Sequence, residues 1–459
     1  MPSAQPRPFR AELRATLQIA GPLALANLLQ MAVYATDVMF VARLGQQALA
    51  ASSLAVALIA VLMMGLNGVT SACAPLIAAD IGRRSNAVRE VRRSTRMALW
   101  LAVAFGLAGI ALCQFATEFM LATGQKPELA QQGGGFLAIL SISVLPMAVA
   151  NVLRTFVSAL GRPVFATVIT AVSILVNALG DYALVFGHFG APALGLTGAA
   201  LASIITATST ALAYVVAILA DRNLRRFRVF GRWWRPEWQR LRRMLVLGLP
   251  IAGTLVAEGG LFSSAAFVMG RVGEAQLAAH TVALQIAAFA FQVPFGIGQA
   301  ATIRVGYHYG GGNREGVGHA GWASIVIGMA FMSVSALAMF AVPRLILSAY
   351  VDVSDPANAA LTGYALSYLF IAAIFQLSDG LQAVVAGALR GIQDTRVPMI
   401  MALIGYWFAG FAASIVLGLF TPLGGVGVWI GLAVGLTAAA ALLMVRWHRR
   451  ERFYALAFT

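Results

Sequence analysis

Four carboxylates sit where the surrounding sequence makes them costly: Asp37, Asp181, Glu258 and Asp379 each lie within a long run of apolar residues. In the middle of a bilayer such a group costs ~2.5–3.5 kcal/mol on insertion scales, so it is kept only with a partner or a use. Asn177 stands four residues before Asp181, one helical turn away and on the same face. A carboxylate bonded to a neighbouring helix would explain one such residue. It explains the set less well, because no lysine or arginine falls inside the same apolar runs to neutralise four acids. Uncompensated acids in an apolar cavity attract mobile cations and can hold a proton, which is the chemistry of a cation or proton relay. The histidines at 188, 280, 308, 319 and 448 are scattered, with no two at metal-ligand spacing. Cys73 and Cys113 lie in apolar runs without charged neighbours and read as buried, inert thiols.

The elements that must position the acids follow from composition. Hydrophobic residues make up 60% of the 459 positions and charged residues 11%, well below the ~25% of an ordinary globular chain. A chain this poor in charge needs lipid around it. Stretches long and apolar enough to span fall at roughly 15–41, 47–79, 97–120, 130–153, 163–187, 193–220, 244–270, 276–303, 318–343, 358–389, 397–420 and 424–445. The first is too long for a signal-peptide core and reads as a retained helix.

A net charge of +15 raises the question of nucleic acid, but the arginines fall in short blocks between apolar runs, not along one basic face, so nucleic acid is excluded as a partner. Counting from an inside N-terminus, one set of loops holds Arg83, Arg84, Arg89, Arg92, Arg93 and Arg96, then Arg154 and Arg162, then nine arginines from Arg222 to Arg243, with Arg446, Arg449, Arg450 and Arg452 in the tail. The opposite loops carry Arg43, Lys126, Arg271 and Arg344 beside several acids. Both termini are therefore expected on the cytoplasmic side of an inner membrane. The Arg222–Arg243 segment, with Phe227, Phe230, Trp233, Trp234 and Trp238, reads as a linker lying on anionic lipid.

The chain repeats itself. Pro22 and Pro250 set an offset of 228 positions, which also pairs Arg43 with Arg271, Gly45 with Gly273, Leu49-Ala-Ala51 with Leu277-Ala-Ala279, Gly68 with Gly296 and Gly82 with Gly310. Six helices per repeat give parallel repeats with an axis along the membrane normal. The expected fold is all-α and integral to the membrane, with twelve transmembrane helices in two six-helix lobes related by a pseudo-two-fold. The expected parts are a cytoplasmic tail (1–12), an N-lobe (13–220), a basic cytoplasmic linker (221–243), a C-lobe (244–447) and a second tail (448–459). The acids do not repeat: Glu258 falls opposite Gln30, Asp379 opposite Asn151, and Asp37 opposite Ala265.

Leu247-Gly-Leu-Pro250, Glu258, Gly273, Leu277-Ala-Ala-His280 and Ala301-Thr-Ile-Arg-Val-Gly306 together resemble the multidrug and toxic compound extrusion (MATE) family, in its NorM-like branch. So do Gln376-Leu-Ser-Asp379, Leu389-Arg-Gly391, Gln393-Asp-Thr395, Gly405-Tyr-Trp407 and Gly427-Val-Trp429, and in the first half Pro22, Thr36-Asp37, Arg43-Leu-Gly45, Asn177, Asp181 and Gly195-Leu-Thr-Gly198. The resemblance covers essentially the whole chain and is specific in its helix 7–8 portion. It implies a monomeric secondary antiporter, without a cofactor, that expels organic cations and drugs in exchange for Na⁺ or H⁺ by alternating access, and not an enzyme. It also implies that Asp37, Asn177 and Asp181 form an N-lobe cation or proton cluster, that Pro22 is a bending point of helix 1, and that Glu258 and Asp379 form a C-lobe cation site open to Na⁺.

Departures from the family pattern are Phe375 one turn before Asp379, where some sodium-coupled members have tyrosine, and the missing proline after Gly405-Tyr-Trp407. The Asp80-Ile-Gly-Arg-Arg84 loop instead resembles a major facilitator motif, so a facilitator-type drug–proton antiporter is the alternative; its repeat counterpart His308-Tyr-Gly-Gly-Gly312 does not share that likeness. A lipid-linked oligosaccharide flippase would need a cationic cavity, whereas the intramembrane charges read as all acidic. A membrane enzyme would need paired catalytic groups on a loop, and a channel would have little use for two diverged lobes. Phe262, Phe289, Phe291, Met31 and Met39 are candidates to line a substrate cavity, against the plainer reading of helix packing.

Overall fold

The computed structural model describes residues 8–83, 86–231 and 235–454, with side chains to residue 452. Arg84, Arg232, Trp233 and Trp234 of the basic segments, and the chain ends 1–7 and 455–459, lie outside the described residues. Among the described residues twelve helices are long and apolar enough to cross a membrane: α1 Phe9–Ala42, α2 Gln46–Arg83, α3 Ala87–Cys113, α4 Pro127–Ala159, α5 Val164–Phe186, α6 Leu196–Ala220, α7 Trp238–Val272, α8 Glu274–Gly310, α9 Arg314–Ala341, α10 Pro356–Gly391, α11 Arg396–Leu419 and α12 Gly425–His448. Large apolar side chains stay exposed along them, such as Leu175, Phe267 and Phe408, which is the surface a hydrocarbon solvent requires.

Each expected span overlaps one of these helices, but several ends differ: the expected span 97–120 runs past the end of α3 at Cys113 into a separate short helix, Ala116–Ala122. α1 begins at Phe9, inside the expected tail, α7 begins at Trp238, inside the expected linker, and α4 runs past residue 153 to Ala159. Short polar turns stop the helices. Gly187 ends α5 in the left-handed region at φ 77°, where a Cβ would also meet the Ala193 backbone. Asn313 caps α9, its side chain accepting from Gly316 N at 2.8 Å. In α11 the stretch Ile404–Phe411 is π-helical, with Gly405 and Gly410 packed on Ala439 and Gly435 of α12.

The polypeptide groups into two compact units: an N-unit, Leu25–Ala252, and a C-unit, Met1–Ala24 with Gly253–Thr459. The chain changes unit inside α1 and again inside α7, two residues after Pro22 and Pro250, at positions one repeat apart. Neither helix breaks there. The first part of α1 thus packs among the second-half helices, and the first part of α7 among the first-half helices.

Small residues make this exchange possible. In the N-unit Gly68 of α2 lies so close to Ala252 of α7 that a Cβ would fall 2.3 Å from its Cα, and Gly248 abuts Val69 in the same way. In the C-unit the equivalent Gly296 of α8 meets Ala24 of α1, at 2.7 Å by the same measure. Backbones approach this closely only where side chains are absent.

Ion pairs pin each crossing helix beyond the glycine contact. In the C-unit Arg304 donates through Nε and Nη2 to the two carboxylate oxygens of buried Glu12, both at 2.7 Å, with His308 Nε2 3.3 Å from Oε2. In the N-unit Arg240 donates to Asp80 Oδ2 at 2.9 Å and to Glu90 and Ser94, while Glu237 pairs with Arg93 and Arg96. Glu12 and Arg240 are repeat equivalents, as are His308 and Asp80. The two pins occupy the same place in the repeat with the charges inverted.

Candidate cation clusters and substrate cavity

In the N-unit, α5 places Asn177 and Asp181 on one face, and α1 brings Asp37 to them. Asn177 Nδ2 donates to Asp37 Oδ1 at 2.7 Å. Asp181 is fully buried beside the Asp37 carboxyl, and no amide or hydroxyl donor reaches either of its oxygens or Asn177 Oδ1. Three acceptors without a donor make a pocket that a proton or a small cation would satisfy. The three residues expected to form the N-lobe cluster are brought together. Pro22 lies inside α1, which continues through it.

In the C-unit, α7 supplies Glu258 and α10 supplies Asp379 and Gln382. Gln382 Nε2 donates to Glu258 Oε1 at 2.8 Å and to Asp379 Oδ1 at 3.3 Å, so one amide bridges both acids. Tyr406, from the π-helical stretch of α11, donates to Gln382 Oε1. Phe375, one turn before Asp379, packs against Trp429 with ring centroids 5.5 Å apart and gives the acid no hydroxyl. Sequence reasoning missed Gln382 and Tyr406. The first had a signal, since position i+3 from Asp379 shares its face; the second comes from a distant helix, and its only signal was its place in the Gly405-Tyr-Trp407 motif.

Two arginines correct the expectation that the intramembrane charges are all acidic. Arg390, near the end of α10, lies within electrostatic range of Glu258, although none of the four acids forms an ion pair among the described residues. Arg154, expected in a cytoplasmic loop, lies inside α4 and donates to Asn27 of α1. An arginine at the edge of an apolar run looks like a loop residue in sequence, but here the helix continues past it. Asp80 of the facilitator-like motif is likewise helical and buried, committed to Arg240 and Ser94.

The N-unit encloses a cavity of about 340 Å³ between α1, α2, α4, α5 and α6. Asp37 and Asn177 line it, together with Gln30, Tyr34, Asn151 and Arg154. Met31, Met39, Phe262, Phe289 and Phe291 are not among its lining residues: Met39 and Phe289 are exposed, Phe262 packs on the C-unit core and Phe291 on Phe295. Other methionines and aromatics, Met63, Met147, Phe136 and Tyr214, line it instead, beside the polar side chains.

The sequence model of the MatE family matches residues 22–183 and again 250–416, two matches whose starts are one repeat apart. A probable multidrug resistance protein NorM of Mesorhizobium japonicum is 45% identical over 445 residues, covering 97% of this chain and 95% of that protein. A protein of the same name from Brucella suis biovar 1 is 40% identical over 438 residues, 95% and 93% of the two chains. A crystal structure of MATE in the straight conformation superposes with a TM-score of 0.87 over 98% of this chain and 97% of that one, at 19% identity, and so shares the fold. With the family match in both halves and relatives this close along nearly the whole length, the chain belongs to the MatE family.

Proposed function

We propose that the protein is a secondary antiporter that exports organic cations and drugs across the inner membrane, driven by Na⁺ or H⁺ returning through it. The curated relatives carry multidrug resistance names. The observation that carries the reading is the pairing of two buried acid clusters, one on each repeat, with a cavity onto which Asp37 opens. Asp37, Asn177 and Asp181 would exchange a proton or cation for substrate, and Glu258 with Asp379 would hold the second cation. Both termini lie in the cytoplasm, the basic Arg222–Arg243 segment rests on anionic headgroups, and the chain works as a monomer.

The energetics limit the exchange. One monovalent cation moving inward gains about 2.3 kcal/mol per 100 mV, and one-for-one exchange with a monovalent drug cancels that gain. A concentration gradient of the coupling ion, or a second ion, must then drive export. Purified protein in liposomes tests this: ethidium should be moved when a Na⁺ gradient or a proton gradient is imposed, each applied alone with the potential clamped. No transport under either gradient would overturn the reading.

A further inference from the structure

The cavity has a positive pole that the exchange of cations does not use. Arg154 lines it, and its guanidinium makes one hydrogen bond, to Asn27, with no carboxylate within ion-pair distance among the described residues. A guanidinium has five N–H donors, so that single bond leaves most of its capacity and all of its charge unmatched. An arginine in a span costs ~2.5–3.5 kcal/mol on insertion scales, which calls for a counter-charge or a use.

The repeat says what that use is. At the shared offset Gln30, Asn151 and Arg154 are the equivalents of Glu258, Asp379 and Gln382. In the C-unit those positions hold two acids bridged by an amide. In the N-unit the same positions hold two amides and a guanidinium, and all three face the cavity. One place in the fold is thus built twice, with two acids and an amide in one copy and two amides and a guanidinium in the other.

We propose that Arg154, with Gln30 and with Asn151, whose amide also donates to Thr70, lining the same cavity, is a subsite for an acidic group on the substrate, so that the cavity selects amphipathic zwitterions over simple cations. The inference rests on the exporter reading above. The substrate's cationic end meets Asp37 and its carboxylate meets Arg154. Asn27, which Arg154 holds, and Asp37 are ten residues apart on α1, about 15 Å along the helix.

Rhodamine 123 and rhodamine 110 test this, because they share one cationic ring system and differ in whether the carboxyl is esterified or free. Efflux of both is measured in pump-deficient cells carrying wild type, Arg154→Gln or Arg154→Lys at matched expression. The expected result is that Arg154→Gln raises the KM for rhodamine 110 at least ten-fold, leaves rhodamine 123 within about two-fold, and is partly rescued by Arg154→Lys. An equal change for both dyes, or none for rhodamine 110, would overturn the subsite. If Arg154→Gln fails to fold, wild-type binding decides: rhodamine 110 must bind purified protein more tightly than rhodamine 123, and equal or weaker binding sinks the proposal. Failure of the wild type to expel rhodamine 123 would instead count against the exporter reading itself.

Discussion

Gln382 donates to Glu258 and to Asp379, and an amide in that position holds two acids together without neutralising either. The arrangement suits a site whose counter-ion comes and goes. Replacing Asp379 with Asn should therefore cut ethidium efflux at least ten-fold at matched expression, and Gln382→Leu should do nearly as much although it removes no charge. Efflux in both variants within two-fold of wild type would remove the C-unit cluster from the coupling step. In the N-unit, Asp181→Asn supplies a donor where three acceptors have none. It should leave the fold intact, by unchanged thermal unfolding, while slowing efflux at least ten-fold. The acids themselves were legible in the sequence, because a carboxylate in an apolar run is costly wherever the helices pack. Tyr406 and Arg390 stood in motifs, but their place at the acid site was not legible, because their nearness to the acids depends on how α7, α10 and α11 meet.

The crossing of α1 and α7 explains at the scale of elements why certain repeat positions are fixed. Gly68 and Gly296 serve the close approach of the exchanged half-helices, and Glu12 and Arg240 then pin them. Inverting the charges between the two pins makes each half-helix fit only one unit: Glu12 would face like charge at Asp80 and Glu90, and Arg240 would face Arg304. Breaking a buried pair by removing one partner costs about 3–5 kcal/mol. Glu12→Gln should accordingly lower the unfolding temperature in detergent, and Glu12→Gln with Arg304→Gln should recover part of the loss, since neither charge is then left alone. A double variant less stable than Glu12→Gln would contradict the pin. A side chain at position 68 must push α2 off α7, so Gly68→Leu should cost more than the ~1–3 kcal/mol of ordinary overpacking, read as loss of folded yield.

For the whole molecule the distribution of arginine sets the orientation. Both native cysteines are buried, so a single introduced thiol reports topology without a cysteine-free background. Lys126→Cys should react with a membrane-impermeant maleimide in intact cells, whereas Arg225→Cys should react only after permeabilisation; both positions are exposed. The reverse pattern would invert the proposed orientation and, with it, the direction of transport.

Hydropathy alone determined the number of spans, and the 228-residue offset determined that the chain is two copies of one plan, because both are properties of residue type and spacing. Span ends, the exchange of half-helices and the site partners were decided by tertiary structure. Arg154 is the clearest case. Its sequence neighbours made it a loop arginine, but the helix continues past it to Ala159 and sets it on the wall of a cavity, bonded to Asn27 and out of ion-pair reach of any carboxylate among the described residues.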